Sequence, residues 1–167
     1  TRCAHKPYLY ENQGLVHRAL TARKNLTTLL SAGHTVTDIL CLPDISTVWT
    51  GKLFVPMCDF LGLPGLAYTV AEFAVQLRSI VSLLRSRENY HVILTTQIAE
   101  NVLILCKNEV GAFVFPATPH GIVFGINERD LTLSLWEFLN RTQASADREQ
   151  TILQIENYID RLLNFQA

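Results

Sequence analysis

Residues 102–126 read VLILCKNEVGAFVFPATPHGIVFGI. Three short apolar runs, rich in β-branched and aromatic residues, are separated by two polar turns, and that punctuation decides the fold class. Residues 107–111 suit one hairpin loop and residues 117–121 a second. The runs at 102–106, 112–115 and 122–126 are therefore expected to form an antiparallel meander. Residues 90–95, YHVILT, have the same character and extend the expectation to a small, mainly antiparallel sheet at about 90–126. None of these runs alternates cleanly with polar residues, which implies cover on both faces by helices or a partner.

Helical patterns lie on either side. Residues 13–31 place Val16, Ala19, Leu20, Leu26, Leu29 and Leu30 on one stripe, with Gly33 where a C-cap belongs. A short helix is expected at about 36–41, stopped by Pro43. Residues 42–65 hold Pro43, Pro56 and Pro64 but also Trp49, Phe54, Met57 and Phe60, so this loop is expected to be pinned against the core. Thr69-Val-Ala-Glu72 is a capping box. Behind it Val70, Phe73, Leu77, Ile80 and Leu84 mark one face of a helix at 69–88. After the sheet, Asn127 offers an N-cap for a helix lined by Leu131, Leu135, Trp136, Phe138 and Leu139. A polar break then precedes a last helix. The fold class is α+β: a helical N-terminal half, the small sheet, and two C-terminal helices. The 167 residues fit a single domain, with 1–88 mainly helical, 89–141 the sheet and its closing helix, and 145–166 the C-terminal helix.

Apolar residues make up 49% and charged residues 17% of the chain, enough for a sizeable core and unlike the composition of disordered segments. A net charge of −1 leaves no broad basic footprint for direct nucleic-acid binding. The longest apolar run, Val102–Cys106, is far too short to span a bilayer. The chain begins at Thr1 with no signal-peptide pattern after it and reads as a piece of something longer. Cys3, Cys41, Cys58 and Cys106 form no CxxC pair and read as reduced thiols of a cytoplasmic protein.

Reaction chemistry is weakly represented. Cys106 ends a strand, with His91 and His120 at the ends of others. Its apolar surroundings would raise a thiol pKa, and no glycine-rich elbow follows to build an oxyanion site. The five histidines stand singly, without HxH, HxxxH or HExxH. Gly125-Ile-Asn-Glu-Arg lacks the glycines and lysine of a phosphate loop. No catalytic residue, metal ligand or cofactor is assigned. Trp49 and Tyr68 belong to the loop-rich middle rather than to a periodic element, and are expected as walls of a pocket bounded by 44–68 and the following helix. Arg85, Arg87 and His91, at the helix-to-strand junction, read as solvated surface charges or as candidates to recognise an anionic group.

The succession ENYHVILT (88–95), NVLILCKNEVGAFVFP (101–116) and HGIVFGINERDLTLSLWEFLNR (120–141) resembles the final strands and closing helix of effector domains in bacterial helix-turn-helix transcription regulators. The type it is most similar to is the phospholipase-D-like sensor half without its catalytic motif. No His-x-Lys occurs among the strands, so the resemblance implies sensing of a small-molecule effector or partner without turnover. DNA would be bound through a separate domain. An enzyme of an uncharacterised family with a dispersed site, or a protein-interaction module, are the alternatives. Ile152, Ile155, Ile159 and Leu162 fall at a and d positions of a heptad. The stripe suits a terminal helix docked on its own domain as well as pairing, and a homodimer with this helix at the interface or bracing it is expected.

Overall fold

The computed structural model describes residues 24–53, 67–96, 102–105, 111–115, 122–142 and 147–165. Among these are five helices and five short strands, an α+β protein as expected. The chain divides into two compact units. One comprises residues up to Val55, Ala67–Ile98 and Asp147–Ala167, and the other Pro56–Leu66 with Ala99–Ala146.

The first unit opens with helix α1 (24–31). Gly33 follows at φ 83, a left-handed turn that costs glycine little. Asn89 donates from Nδ2 to the carbonyls of Leu30, in the last turn of the helix, at 2.9 Å and His34, beyond its end, at 2.7 Å, tying this turn to the start of β2. Strand β1 (Val36–Cys41) comes next, then the five-residue helix α2 (Ile45–Trp49). Helix α3 (Val70–Ser86) begins with the expected capping box. The Glu72 amide donates to Thr69 Oγ1 at 3.2 Å, and the Thr69 amide to Glu72 Oε2 at 2.9 Å. Strand β2 (Tyr90–Thr95) pairs with β1 in parallel, from Val36 opposite Tyr90 to Cys41 opposite Thr95.

That pairing corrects two expectations. Residues 36–41 are a strand, not a short helix, and β2 joins β1 rather than the meander. The physical reason lies in Val36, Thr37 and Ile39, β-branched residues that suit a pleated surface. Their burial alternates, with Thr37 and Ile39 exposed and Leu40 buried. On the inward face Tyr90, 1% exposed, donates from its hydroxyl to Asp38 Oδ2 at 2.7 Å, so the carboxylate there has a partner.

Helix α5 (Arg148–Leu163) closes the unit and packs antiparallel to α3. Ile152, Ile155, Ile159 and Leu162 are all buried, Ile155 and Leu162 fully. The heptad stripe is thus consumed within the chain, against Phe73, Leu77, Val81 and Leu84 of α3. At the start of α5 the Arg148 guanidinium donates to four carbonyls, those of Leu84, Arg87 (3.0 Å), Glu88 (2.6 Å) and Tyr90 (3.0 Å). One cation therefore closes the end of α3 and ties it to both β2 and α5.

The second unit contains the expected meander: β3 (Val102–Leu105), β4 (Gly111–Phe115) and β5 (Ile122–Ile126), antiparallel in that order. Helix α4 (Arg129–Thr142) follows. Its cap is Glu128 rather than Asn127: the Glu128 carboxylate accepts from the amides of Asp130 at 3.2 Å and Leu131 at 2.6 Å. Ile122 and Phe124 of β5 are each more than half exposed in the single chain.

Candidate functional site

The parallel pair defines the site. Between β1 and β2 the chain makes a βαβ crossover through α2 and α3, and ligands of open α/β sheets bind in the crevice outside the carboxyl ends of such strands. At that end lies a wide-open surface hollow of about 450 Å³, whose lining among the described residues is Leu42, Leu94, Thr95, Thr96 and Gln154. Leu42 and Leu94 bring apolar surface, and Thr95, Thr96 and Gln154 bring two hydroxyls and an amide. The Leu42 amide donates to the Thr95 carbonyl at 2.7 Å, carrying the strand pairing one residue past Cys41 and fixing the floor.

Gln154 makes α5 a wall of the cavity, and α5 is fastened around it. Tyr158, one turn further along, donates from its buried hydroxyl to the Pro43 carbonyl at 2.7 Å. Burial pushes the Tyr158 phenol well above its ordinary range, with lesser contributions from the charges of Cys41 and Asp44, so at neutral pH it stays a protonated donor. Trp49 donates from its indole Nε1 to the Leu162 carbonyl at 3.0 Å and sets its ring 6.0 Å from that of Phe165. Phe73 meets Tyr158 edge-on at 6.2 Å, a favoured geometry for aromatic pairs. Beyond Pro43, Asp44 caps α2 by accepting from the Ser46 amide at 2.8 Å. Hydrogen bonding from Ser46 holds this exposed carboxyl below the usual carboxylate range, with a smaller contribution from the charge of Arg161.

None of the five residues singled out from sequence lines this cavity. Trp49 is 45% exposed and holds the end of α5; Tyr68 is 4% exposed and packs on Phe73 at 5.4 Å. Arg85 pairs with Glu156 at 2.8 Å on the surface. Arg87 is the C-cap of α3, its carbonyl engaged by Arg148. The His91 side chain is exposed near the amino end of β2. All three lie toward the amino end of β2, away from the hollow. Most of the loop expected to frame a pocket with Trp49 and Tyr68, residues 54–66, lies outside the described residues, as do Cys106 and His120. Among the described residues no group of three His, Cys, Asp or Glu side chains is placed to hold a metal ion, and no helix is long and apolar enough to cross a membrane.

The cavity residues escaped the sequence because their only signal is topological. Once 36–41 is a strand parallel to 90–95, the strand-end rule nominates Leu42, Leu94, Thr95 and Thr96 at once. The chain matches no protein-family model, no curated protein and no solved structure.

Proposed function

We propose that the chain is a ligand- or partner-sensing regulatory domain of a bacterial transcription regulator, cytoplasmic, with DNA binding supplied by a separate domain. One observation carries the sensing part: the cavity at the carboxyl ends of β1 and β2 has a wall on α5. The helix is also held by its buried stripe against α3 and by contacts through Arg148, Tyr158 and Trp49. An occupant bridging the strand ends and Gln154 adds a contact that exists only when α5 is docked. It therefore favours the docked arrangement by its differential affinity for the two states. The resemblance of residues 101–141 to the last strands and closing helix of effector domains supports the transcription-regulator part, whereas residues 90–95 pair with β1 instead.

Trp49 is a built-in reporter, since its indole bonds the last turn of α5. In a small-molecule screen, a ligand that shifts Trp49 emission should also slow amide exchange across residues 148–163. Binding that leaves both unchanged overturns the sensing reading. The same proposal includes a homodimer, because regulators that read paired half-sites are two-fold. With the heptad stripe buried inside the chain, its contact lies away from Ile152, Ile155, Ile159 and Leu162. Light scattering at tens of micromolar should return twice the chain mass of 18.8 kDa; a monomer removes the dimer from the proposal.

A further inference from the structure

Helix α5 belongs to the first unit but is joined to it only by way of the second: after β2 the chain forms β3, β4, β5 and α4 before Asp147 caps α5. We propose that α5 is a release element, a helix whose docking is held short of its full stability so that it opens ahead of the rest of its unit. The observation that carries this is a buried hydroxyl. Among the described residues, Thr151 of α5 is 2% exposed and its Oγ1 has no hydrogen-bond partner. A buried polar atom left unpaired costs free energy, and folded chains hold few of them. Here the cost arises on docking, because the same side chain on an undocked helix stands in water.

Other helix hydroxyls of the chain turn back onto their own helix. Ser79 donates to the Val75 carbonyl at 3.1 Å, and Thr132, also buried, to the Arg129 carbonyl at 2.8 Å. Thr151 does neither, and the helix that α5 packs against carries a second such group. Gln76 of α3 is 4% exposed, with its Oε1 unpaired among the described residues. The buried isoleucine stripe and the bonds of Arg148, Tyr158 and Trp49 pull the other way. Docking therefore stays favourable, but below what an apolar side chain at 151 would reach. Release takes Gln154 from the hollow and breaks the Tyr158–Pro43 and Trp49–Leu162 bonds in one motion. This goes beyond the sensing proposal and stands without any ligand.

Native-state amide exchange on the full chain, without ligand, tests it, read separately over α5, α3 and the β1–β2 pair. In wild type the α5 amides should exchange at least about tenfold faster than the most protected amides of α3 and β2. Thr151→Val keeps the shape and removes the hydroxyl, so it should slow α5 exchange by at least about fivefold. Thr151→Ser keeps the hydroxyl and loses the methyl, and should leave α5 exchange as fast as in wild type or faster. Gln76→Met should slow it in the same direction as Thr151→Val. If α5 exchanges in step with α3 and β2 in wild type, release as a separate motion is overturned. If Thr151→Val leaves α5 exchange unchanged or faster, or prevents folding, the buried hydroxyl does not hold docking back and the proposal fails, whatever Gln76→Met does.

Discussion

Val36 pairs with Tyr90 across the whole of α2 and α3, whereas β3, β4 and β5 pair in the order in which they leave the ribosome. The first unit is assembled from contacts distant in the chain: Arg148 on the carbonyls at the end of α3, Tyr158 on Pro43, Trp49 on Leu162. The second contains hairpin pairs and a helix capped from within its own first turn. Distant contacts are bought with loop-closure entropy, and they concentrate structural dependence on a few residues. Local ones spread it. The two units should therefore answer differently to point substitutions, and the chain's two tryptophans make that measurable. Trp49 belongs to the first unit and Trp136 to the second, so Trp136→Phe and Trp49→Phe backgrounds isolate each readout.

The largest effect is expected at Ile155, fully buried between α5 and α3. Ile155→Ala should cost about 2–5 kcal/mol through lost burial and the cavity left behind. In denaturant unfolding the transition seen by Trp49 should move far more than that seen by Trp136. Equal shifts would mean the two units melt as one block, and the contrast drawn above would fail.

Arg148 comes second. Replacing it with Ala removes donors from four carbonyls, two of which belong to the last turn and cap of α3. A loss of about 2–3 kcal/mol is expected, in line with charge-assisted bonds and stranded acceptors. Arg148→Lys should recover less than half, since an ammonium on a flexible stem cannot match the planar fork. Full rescue by lysine would show that charge at the end of α3 matters rather than the four-way geometry.

These two residues also show where sequence reading reached and where it stopped. Ile155 was legible as part of a 3-4-3 stripe; what the stripe packs against was not, because a period says which face is apolar and nothing about its partner. The capping box at Thr69 and Glu72 was legible in full, being decided within four residues. So was the antiparallel order of the three strands, with Gly111 in β4 rather than in the expected loop. Residues 36–41 were misread because six residues hold too few periods to separate a strand from a helix, and their pairing partner lies beyond α3. The cavity depends on that pairing and was lost with it. Arg148 carries no pattern at all: only the folded chain brings its four carbonyls together.

Tyr158 is third. Tyr158→Phe keeps the ring against Phe73 and deletes the bond to Pro43, at about 1 kcal/mol near neutral pH. The pH dependence has a definite sign. The phenol's ordinary value is 10.0 and burial raises it in the folded state, so the folded protein holds that proton more tightly than the unfolded chain. The resulting stabilisation is fully present below pH 10.0 and declines as pH rises above it. The advantage of wild type over Tyr158→Phe should therefore shrink above that pH, and an advantage that is constant or growing there would refute the buried, protonated donor.

The smallest effect tests the second unit and the reassigned cap of α4. Glu128 accepts from the Asp130 and Leu131 amides through its two carboxylate oxygens, and its own carbonyl accepts from Thr132 at 3.1 Å. It thus fills two of the donors that a helix N-terminus leaves open, and places negative charge where the helix dipole favours it. Glu128→Ala should cost about 0.5–1 kcal/mol, visible at Trp136 and absent at Trp49. Asn127→Ala should change neither, although by residue preference alone asparagine is the stronger cap. If Asn127→Ala is instead the costlier change, the helix begins one residue earlier in solution, and residue preference outweighs the two carboxylate bonds at this end.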